Sequence, residues 1–255
     1  MPKKIVEAKV VGQRVLNSST KLIEVYAPEL AELAVPGQFV NVQVFNRTAP
    51  LLRRPFGVAG VNKKDGTITM IYRIIGDATK ILAEYCSGDK LSIVGPLGHG
   101  FDMSAERPLL VGGGLGLAPL LYLAQGFNNP KTDIVMGGRT ADELFWTELF
   151  KDSCRMQYLT TDDGSLGKKG TVMSILPRVM QTDIYDCVYV CGPVPMMKAV
   201  AQAAEGYGIK CQVSLEKYMA CGLGACLSCS CSGIGKRLKV CTDGPVFWAE
   251  EVGEW

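Results

Sequence analysis

Six of the ten cysteines in this 255-residue chain lie at or beyond Cys211. Thiolates are soft ligands for iron and zinc, and clustered cysteines in a reducing compartment bind metal or do redox work more often than they form bridges. Cys221, Cys226 and Cys229 are spaced C-x4-C-x2-C, and Cys241 follows after eleven further residues. That is the spacing of a plant-type [2Fe–2S] site. Zinc sites favour paired C-x2-C units, which the x4 gap fits less well. Gly222 and Gly224 suit a loop that turns its backbone N–H groups toward sulfur. Cys231 and Cys211 compete with Cys241 for the fourth position. Cys241 is expected to take it, because it follows "KRLKV", which reads as a returning strand. Cys86, Cys154 and Cys187 read as small buried hydrophobes. Lys236, Arg237 and Lys239 read as a solvated basic hairpin beside the cysteines.

Other chemistry is carried by glycine turns. In "VGGGLGLAP", Gly112, Gly113, Gly114 and Gly116 allow close backbone approach, and the helix that follows offers free N–H groups to a phosphate. Any tight strand–helix turn can use glycines, and the spacing is not GxGxxG. "YVCGPVPMM" repeats the device with Cys191, Gly192, Pro193 and Pro195; otherwise Cys191 is a small residue filling a strand end. In "LLRRPFGVAG", Arg53 and Arg54 can contact phosphate, while Phe56 either stacks on a flat ring or packs inside. "IGDATKI" places a glycine turn at a helix start, a second anion-binding geometry. The one histidine, His99 in "GPLGHG", reads as an exposed loop residue, which leaves little room for Ser-His or Cys-His chemistry.

The elements that must position these residues fall into three groups. "KLIEVYA", "QFVNVQV", "FGVAGV", "TITMIYRII" and "KLSIVG" read as strands of a barrel or sandwich, interrupted by one helix from Asp77, its expected N-cap. From Arg107 onward, five strands alternate with four helices, which means a parallel sheet covered on both faces. The tail from Tyr218 is too rich in glycine and cysteine to make a core of its own, so something other than apolar burial is expected to hold it. The expected units are a β-barrel over 1–103, an α/β domain over 104–217 and a cysteine-rich segment over 218–255. A net charge of +2 gives no nucleic-acid footprint. No stretch reads as a secretory signal or a membrane span, so the cytoplasm is the expected compartment.

Taken in order, "RRPF", "VGPLGHGF", "GGGLGLAP", "TDDGSLGKKG", "CGPVPMM", "EKYMACGLGACLSC" and "CTDGPVF" resemble the ferredoxin–NADP reductase superfamily. Within it they are similar to the electron-transfer subunits of type B, NAD-dependent dihydroorotate dehydrogenases of pyrimidine biosynthesis. The resemblance implies an antiparallel FAD barrel, a five-stranded parallel NAD domain and a small [2Fe–2S] segment. It implies FAD contacts at Arg53, Arg54, Pro55, Phe56 and Gly57, at Met70, Ile71 and Tyr72, and at Gly76, Asp77, Ala78 and Thr79. It implies NAD contacts at Gly112, Gly113, Gly114, Gly116, Cys191, Gly192, Pro193 and Met196. Cys221, Cys226, Cys229 and Cys241 match the cluster positions. No residue is expected to be catalytic in its own right, because the cofactors relay the electrons. Gly57 departs from the superfamily, which has Ser or Thr there with a hydroxyl near the reactive flavin nitrogen. The implied partner is an FMN-containing catalytic subunit, in a heterotetramer with two copies of each chain. A similar layout belongs to the small FAD subunit of NADH-dependent ferredoxin:NADP oxidoreductases and sulfide dehydrogenases, where a non-cysteine cluster ligand occurs; four well-placed cysteines favour the first reading. A third reading, a nucleotide-sensing module with a structural zinc tail, predicts a colourless protein. NAD rather than NADP is implied by family alone, since Arg139 in "GGRTADELF" can meet a 2′-phosphate or cap the next helix.

Overall fold

The computed structural model describes residues 3–44, 50–127 and 132–253. The amino-terminal half forms β1 (Lys4–Asn17), β2 (Thr20–Tyr26), α1 (Pro28–Leu33), β3 (Phe39–Gln43), β4 (Arg54–Asn62), β5 (Thr67–Arg73), α2 (Asp77–Ala83) and β6 (Lys90–Leu97). These six strands close a barrel in the order β1-β2-β5-β4-β3-β6. Closure depends on β1, which pairs with β2 on one side and β6 on the other. It is the strand missing from the sequence-based set. Ala8 and Val10 face inward while Glu7 and Lys9 face out, so its alternation is short and rests on small apolar residues.

Two further features differ from expectation. A helix, α1, joins β2 to β3 and starts on Pro28, the first-turn position where proline loses nothing. The cap of α2 is Gly76, not Asp77. The Thr79 hydroxyl accepts the N–H of Ile75 at 2.9 Å and of Gly76 at 3.1 Å, which ties the residues before the helix to its first turn.

The second half begins with β7 (Pro108–Gly113), α3 (Leu117–Gly126), β8 (Thr132–Gly138), α4 (Trp146–Phe150), β9 (Cys154–Thr161), β10 (Lys168–Lys169) and α5 (Leu176–Thr182). It continues with β11 (Cys187–Cys191), α6 (Val194–Gly206), β12 (Lys210–Ser214), β13 (Ser230–Gly233), β14 (Lys236–Lys239) and β15 (Val246–Trp248). The sheet runs β10-β9-β8-β7-β11-β12-β15. Its five central strands are the expected parallel ones. The short β10 adds one parallel pair, and β15, returning from the cysteine tail, closes the other edge antiparallel to β12. Alternate residues of the buried strands serve opposite faces. Leu110, Ile134 and Tyr189 pack with α3 and α4, while Leu109, Val135, Val188 and Val213 pack with α5 and α6. Strand order reverses between β7 and β11, so the crevice at their carboxyl ends is the switch point where open α/β sheets bind ligands.

The tail shares an apolar core after all. Cys229, Cys231, Leu238, Val240, Cys241 and Phe247 are buried in one cluster with Phe39 and Leu97 of the barrel and Val213 of the sheet. The expectation that apolar burial contributes little there is corrected: the segment has no core alone but completes one that two larger units leave open. No helix among the described residues is long and apolar enough to cross a membrane.

At the amino ends of the strands, Asp133 is only 1% exposed. Arg155 clamps it through Nε at 2.9 Å and Nη2 at 2.6 Å, and the Tyr185 hydroxyl donates to it at 2.7 Å. Removing one partner of such a pair strands a buried charge. Arg155→Met is therefore expected to lower stability by about 2 kcal/mol, discounted because Arg155 is half exposed. Urea denaturation measures it, and nucleotide binding at the opposite strand ends is expected to stay unchanged.

Candidate functional site

Two clefts open at the switch point. The first, about 260 Å³, lies between barrel and sheet. Phe39 of β3, Pro55, Phe56 and Gly57 of β4, and Ile71, Tyr72 and Arg73 of β5 form its barrel wall. Leu115, Ala118 and Pro119 at the head of α3, Cys191, and the stretch Ser214–Lys217 form its sheet wall, with Met219 and Pro245 of the tail at its edge. The second, about 460 Å³, lies over the carboxyl ends of the parallel strands. It is lined by Gly113 and Gly114, by Gly137, Gly138 and Arg139, by Asp162, and by Pro193, Pro195 and Met196.

The first cleft thus gathers Pro55, Phe56, Gly57, Ile71, Tyr72 and Cys191 from the expected set, and the second gathers Gly113, Gly114, Pro193 and Met196. Phe56 borders the cleft and packs edge-on against Tyr72, ring centroids 5.8 Å apart. Cys191 faces the first cleft rather than the second, at the wall between them. Burial pushes its thiol pKa up, which keeps it protonated and neutral. Gly57 is not crowded; a Cβ there would meet only Pro119 Cδ at 3.8 Å, an ordinary contact. Gly114 needs its glycine for a φ of +58°. Gly112 and Gly116 act through packing: a side chain on the first would strike Leu117, and on the second the carbonyl of Cys191. Gly192, with φ +151°, lies against the Gly113 backbone.

Several expected residues lie outside both clefts. The Arg53 guanidinium is committed within the barrel, donating to the Ser92 carbonyl at 2.7 Å, the Ser92 hydroxyl at 2.8 Å and Gln43 Oε1 at 3.0 Å. Arg54 donates to the Leu52 carbonyl. Met70 is buried inside the barrel. Gly76, Asp77, Ala78 and Thr79 form the exposed-to-buried start of α2. Three residues escaped the sequence reading. Arg73 lines both clefts, and its Nε is buried without a partner among the described residues; the only signal was a cation ending an apolar strand. Asp162 follows β9 into the second cleft. Glu216 lies in the first cleft close enough to Cys191 to raise its pKa further, while the protein packed around Glu216 raises its own carboxyl pKa.

The four cysteines fall into two pairs. Cys226 donates its backbone N–H to Cys221 Sγ at 3.5 Å, and Leu223 donates to the same sulfur at 3.3 Å. Cys241 lies in hydrogen-bond reach of Cys229, feels the charge of Cys221, and receives the Gly224 N–H. The Ser228 hydroxyl, 3.2 Å from Cys226 Sγ, holds that exposed thiol down to about 6, and neighbouring N–H groups add to the effect. Burial pushes Cys241 up to about 11. Gly222 and Gly224 adopt φ of +69° and +87°, and Leu227 +61°, so the loop is wound tightly about the sulfurs. Among the described residues no three His, Cys, Asp or Glu side chains surround a single metal ion. Two pairs, served by backbone donors, are what a two-iron cluster with two thiolates on each iron requires, so the donor set fits that group. Cys231 is buried on β13 opposite Leu238. Cys211 lies on β12, where Cys187, rather than a cluster cysteine, is the thiol acting on it.

Barrel, switch-point crevice and cysteine loop together define a ferredoxin-reductase-like oxidoreductase with an NAD-binding domain and an iron–sulfur segment. Residues 110–202 match the oxidoreductase NAD-binding domain, and residues 216–253 match the iron–sulfur cluster binding domain of dihydroorotate dehydrogenase B. The chain is 40% identical over 233 residues to the electron transfer subunit of dihydroorotate dehydrogenase B (NAD(+)) from Fusobacterium nucleatum subsp. nucleatum, covering 87% of this chain and 88% of that one. It is 42% identical over 223 residues to the same subunit from Caldanaerobacter subterraneus subsp. tengcongensis, covering 85% and 86%. The chain belongs to the family of dihydroorotate dehydrogenase B electron transfer subunits. Among solved structures it is similar to a chain of an NADH-dependent reduced ferredoxin-NADP oxidoreductase, with TM-score 0.85, 30% identity and coverage of 96% of this chain and 89% of that one. A ferredoxin NADP+ reductase from Neisseria gonorrhoeae with bound FAD and NADP shares the fold, with TM-score 0.66, 17% identity and coverage of 80% and 92%.

Two measurements test the site. Cys241→Ser is expected to abolish stoichiometric iron binding while Cys231→Ser retains it; iron and sulfide assays of the purified variants give the answer. The second concerns Arg139, which lines the second cleft but is held by Glu143, with Nε at 2.8 Å and the Arg139 N–H at 2.9 Å from its carboxylate. That hydrogen bond holds the Glu143 carboxyl below its ordinary range. A 2′-phosphate placed at Arg139 would meet the carboxylates of Glu143 and Asp162 in the same cleft. Glu143→Gln is expected to shift the kcat/KM ratio toward NADPH over NADH by about tenfold, read by steady-state diaphorase kinetics.

Proposed function

We propose that this chain receives electrons from a partner catalytic subunit that oxidises dihydroorotate to orotate, and delivers them to NAD+ through a [2Fe–2S] cluster and FAD. The balance is one dihydroorotate and one NAD+ giving one orotate, one NADH and one proton. The cluster supplies one-electron exchange, the flavin converts between one- and two-electron steps, and NAD+ takes the hydride. The observation that carries the reading is the first cleft itself: Cys191 of the nucleotide turn stands on one side of it, and Met219, two residues before Cys221, at its edge.

The chain's own residues have distinct parts in this reading. Cys221, Cys226, Cys229 and Cys241 hold the cluster. Pro55, Phe56, Gly57, Ile71 and Tyr72 seat the flavin ring against the barrel. Arg53, by tying β3, β4 and β6 together, supports that wall rather than touching phosphate. The start of α2, from Gly76 to Thr79, is assigned to the flavin pyrophosphate through its amide groups. Gly113, Gly114, Gly192, Pro193 and Met196 seat NAD, while Gly112 and Gly116 let α3 approach. Arg73 contributes positive charge where the two dinucleotides meet. Cys191, neutral and apolar, keeps water from the hydride path. The units 1–103, 104–217 and 218–255 correspond to flavin, nucleotide and cluster modules of a cytoplasmic complex, with an FMN-bearing partner in two copies of each chain.

Purified with that partner, the chain is expected to support dihydroorotate-dependent NAD+ reduction. Alone, it is expected to oxidise NADH with an artificial acceptor and to form no orotate. Orotate produced by the isolated chain would refute the division of labour. Dihydroorotate-independent transfer between NADH and ferredoxin:NADP partners would instead favour the likeness to the ferredoxin-NADP oxidoreductase chain.

A further inference from the structure

Asn41 lies in the middle of β3 and is 0% exposed, an amide sealed where barrel meets tail. Its Nδ2 donates to the Cys221 carbonyl at 3.4 Å, across 180 positions of sequence. The next residue, Gly222, is pressed onto the same amide: a Cβ there would stand 2.6 Å from Nδ2, and the φ of +69° bars most side chains in any case. In the other direction Asn41 is paired across the ladder with Pro55, a wall residue of the first cleft, and Phe39, two residues earlier on the same strand, is another. One side chain therefore joins the first cysteine of the loop to the strand pair that faces the flavin cleft.

The same amide is energetically awkward. Asn41 Oδ1 is buried with no donor among the described residues. A buried acceptor left unpaired is destabilising, whereas an apolar side chain of the same shape is close to neutral. Fold stability alone therefore favours Leu over Asn at this position. The Asn has a use through its Nδ2, whose hydrogen bond among the described residues goes to the loop that carries Cys221.

We propose that Asn41 is a positioning residue that locks the Cys221 turn onto the flavin-facing strands and thereby sets electron exchange between cluster and flavin. This rests on Cys221 being a cluster ligand and on the first cleft holding the flavin. Cys221 Sγ is itself oriented by the N–H groups of Leu223 and Cys226 within that turn. A turn released from Asn41 carries sulfur, donors and cluster away from the cleft together, and small displacements of a redox group cost large factors in rate.

The experiment uses the holoprotein with its catalytic partner and the variants Asn41→Leu and Asn41→Asp. With Asn41→Leu, iron, sulfide and FAD contents and melting temperature are expected to match or exceed wild type, and flavin reduction by NADH is expected to keep its rate. Cluster reduction after the flavin phase is expected to slow about tenfold, with shifted EPR g values. In chains freed of iron, the amides of residues 221–226 are expected to exchange faster. Asn41→Asp places a carboxylate beside an anionic cluster and is expected to lower its midpoint potential. Unchanged cluster kinetics and EPR in Asn41→Leu, or an unchanged potential in Asn41→Asp, would overturn the proposal. So would loss of folding or iron in Asn41→Leu, which would make the residue structural. Iron-free wild-type protein would instead sink the reading of Cys221 on which the proposal stands.

Discussion

Gly116 has no room for a side chain, because one would fall on the carbonyl of Cys191 at the end of β11. Gly112 is bare for a related reason, since Leu117 fills the space beside it. These two positions let α3 begin almost on the backbone of the neighbouring strand. From there α3 lies between sheet and barrel, with Pro119 facing Gly57 and the Tyr122 hydroxyl donating to the Ala34 carbonyl at 2.9 Å. Ala118 and Leu121 share a core with Ala59 and Ile71 of the barrel. The width of both clefts follows from this approach: a larger residue at 112 or 116 pushes α3 outward and parts the barrel wall of the first cleft from Cys191.

The tail is held by a second set of close approaches. A Cβ on Gly98 would stand 2.5 Å from the Gly244 carbonyl, and one on Gly37 would stand 2.8 Å from Val246. The His99 N–H donates to the Gly244 carbonyl at 2.6 Å and the Leu215 N–H to the Pro245 carbonyl at 2.9 Å. With β15 on the sheet edge, these contacts fix both ends of the cysteine loop. These contacts are additional to any made through a metal, whereas small zinc modules fold only around theirs.

Charge is used sparingly. The thiols that face the interior, Cys191, Cys211 and Cys241, are pushed upward by burial and stay neutral without a metal, whereas exposed Cys226 is held low by Ser228 and nearby N–H groups. The cysteine loop therefore sets an exposed thiol with a lowered pKa at its open side against a buried one with a raised pKa. Arg53 and Arg139 both have committed guanidinium groups, one inside the barrel and one on Glu143. Arg73, at the junction of the two clefts, has its Nε buried without a partner among the described residues.

The cysteine spacing, the two glycine turns and the alternation of strands and helices were legible in the sequence, because each is a local pattern: ligand geometry, a backbone angle, a periodicity. The [2Fe–2S] spacing and the five parallel strands needed nothing from distant residues. Arg53 reads as a phosphate ligand in sequence, while its guanidinium donates to Ser92 and Gln43, partners that only the tertiary structure brings to it. β1 was missed because its inward face is made of small residues whose partners, β2 and β6, decide its role. The tail looked coreless because its apolar residues are too few alone, and their complement lies on the barrel and β12. Asn41 and Arg73 carry no motif at all. A buried amide under a cysteine loop, and a cation shared by two clefts, exist only once chain segments far apart in sequence are packed together, and no local pattern encodes that meeting.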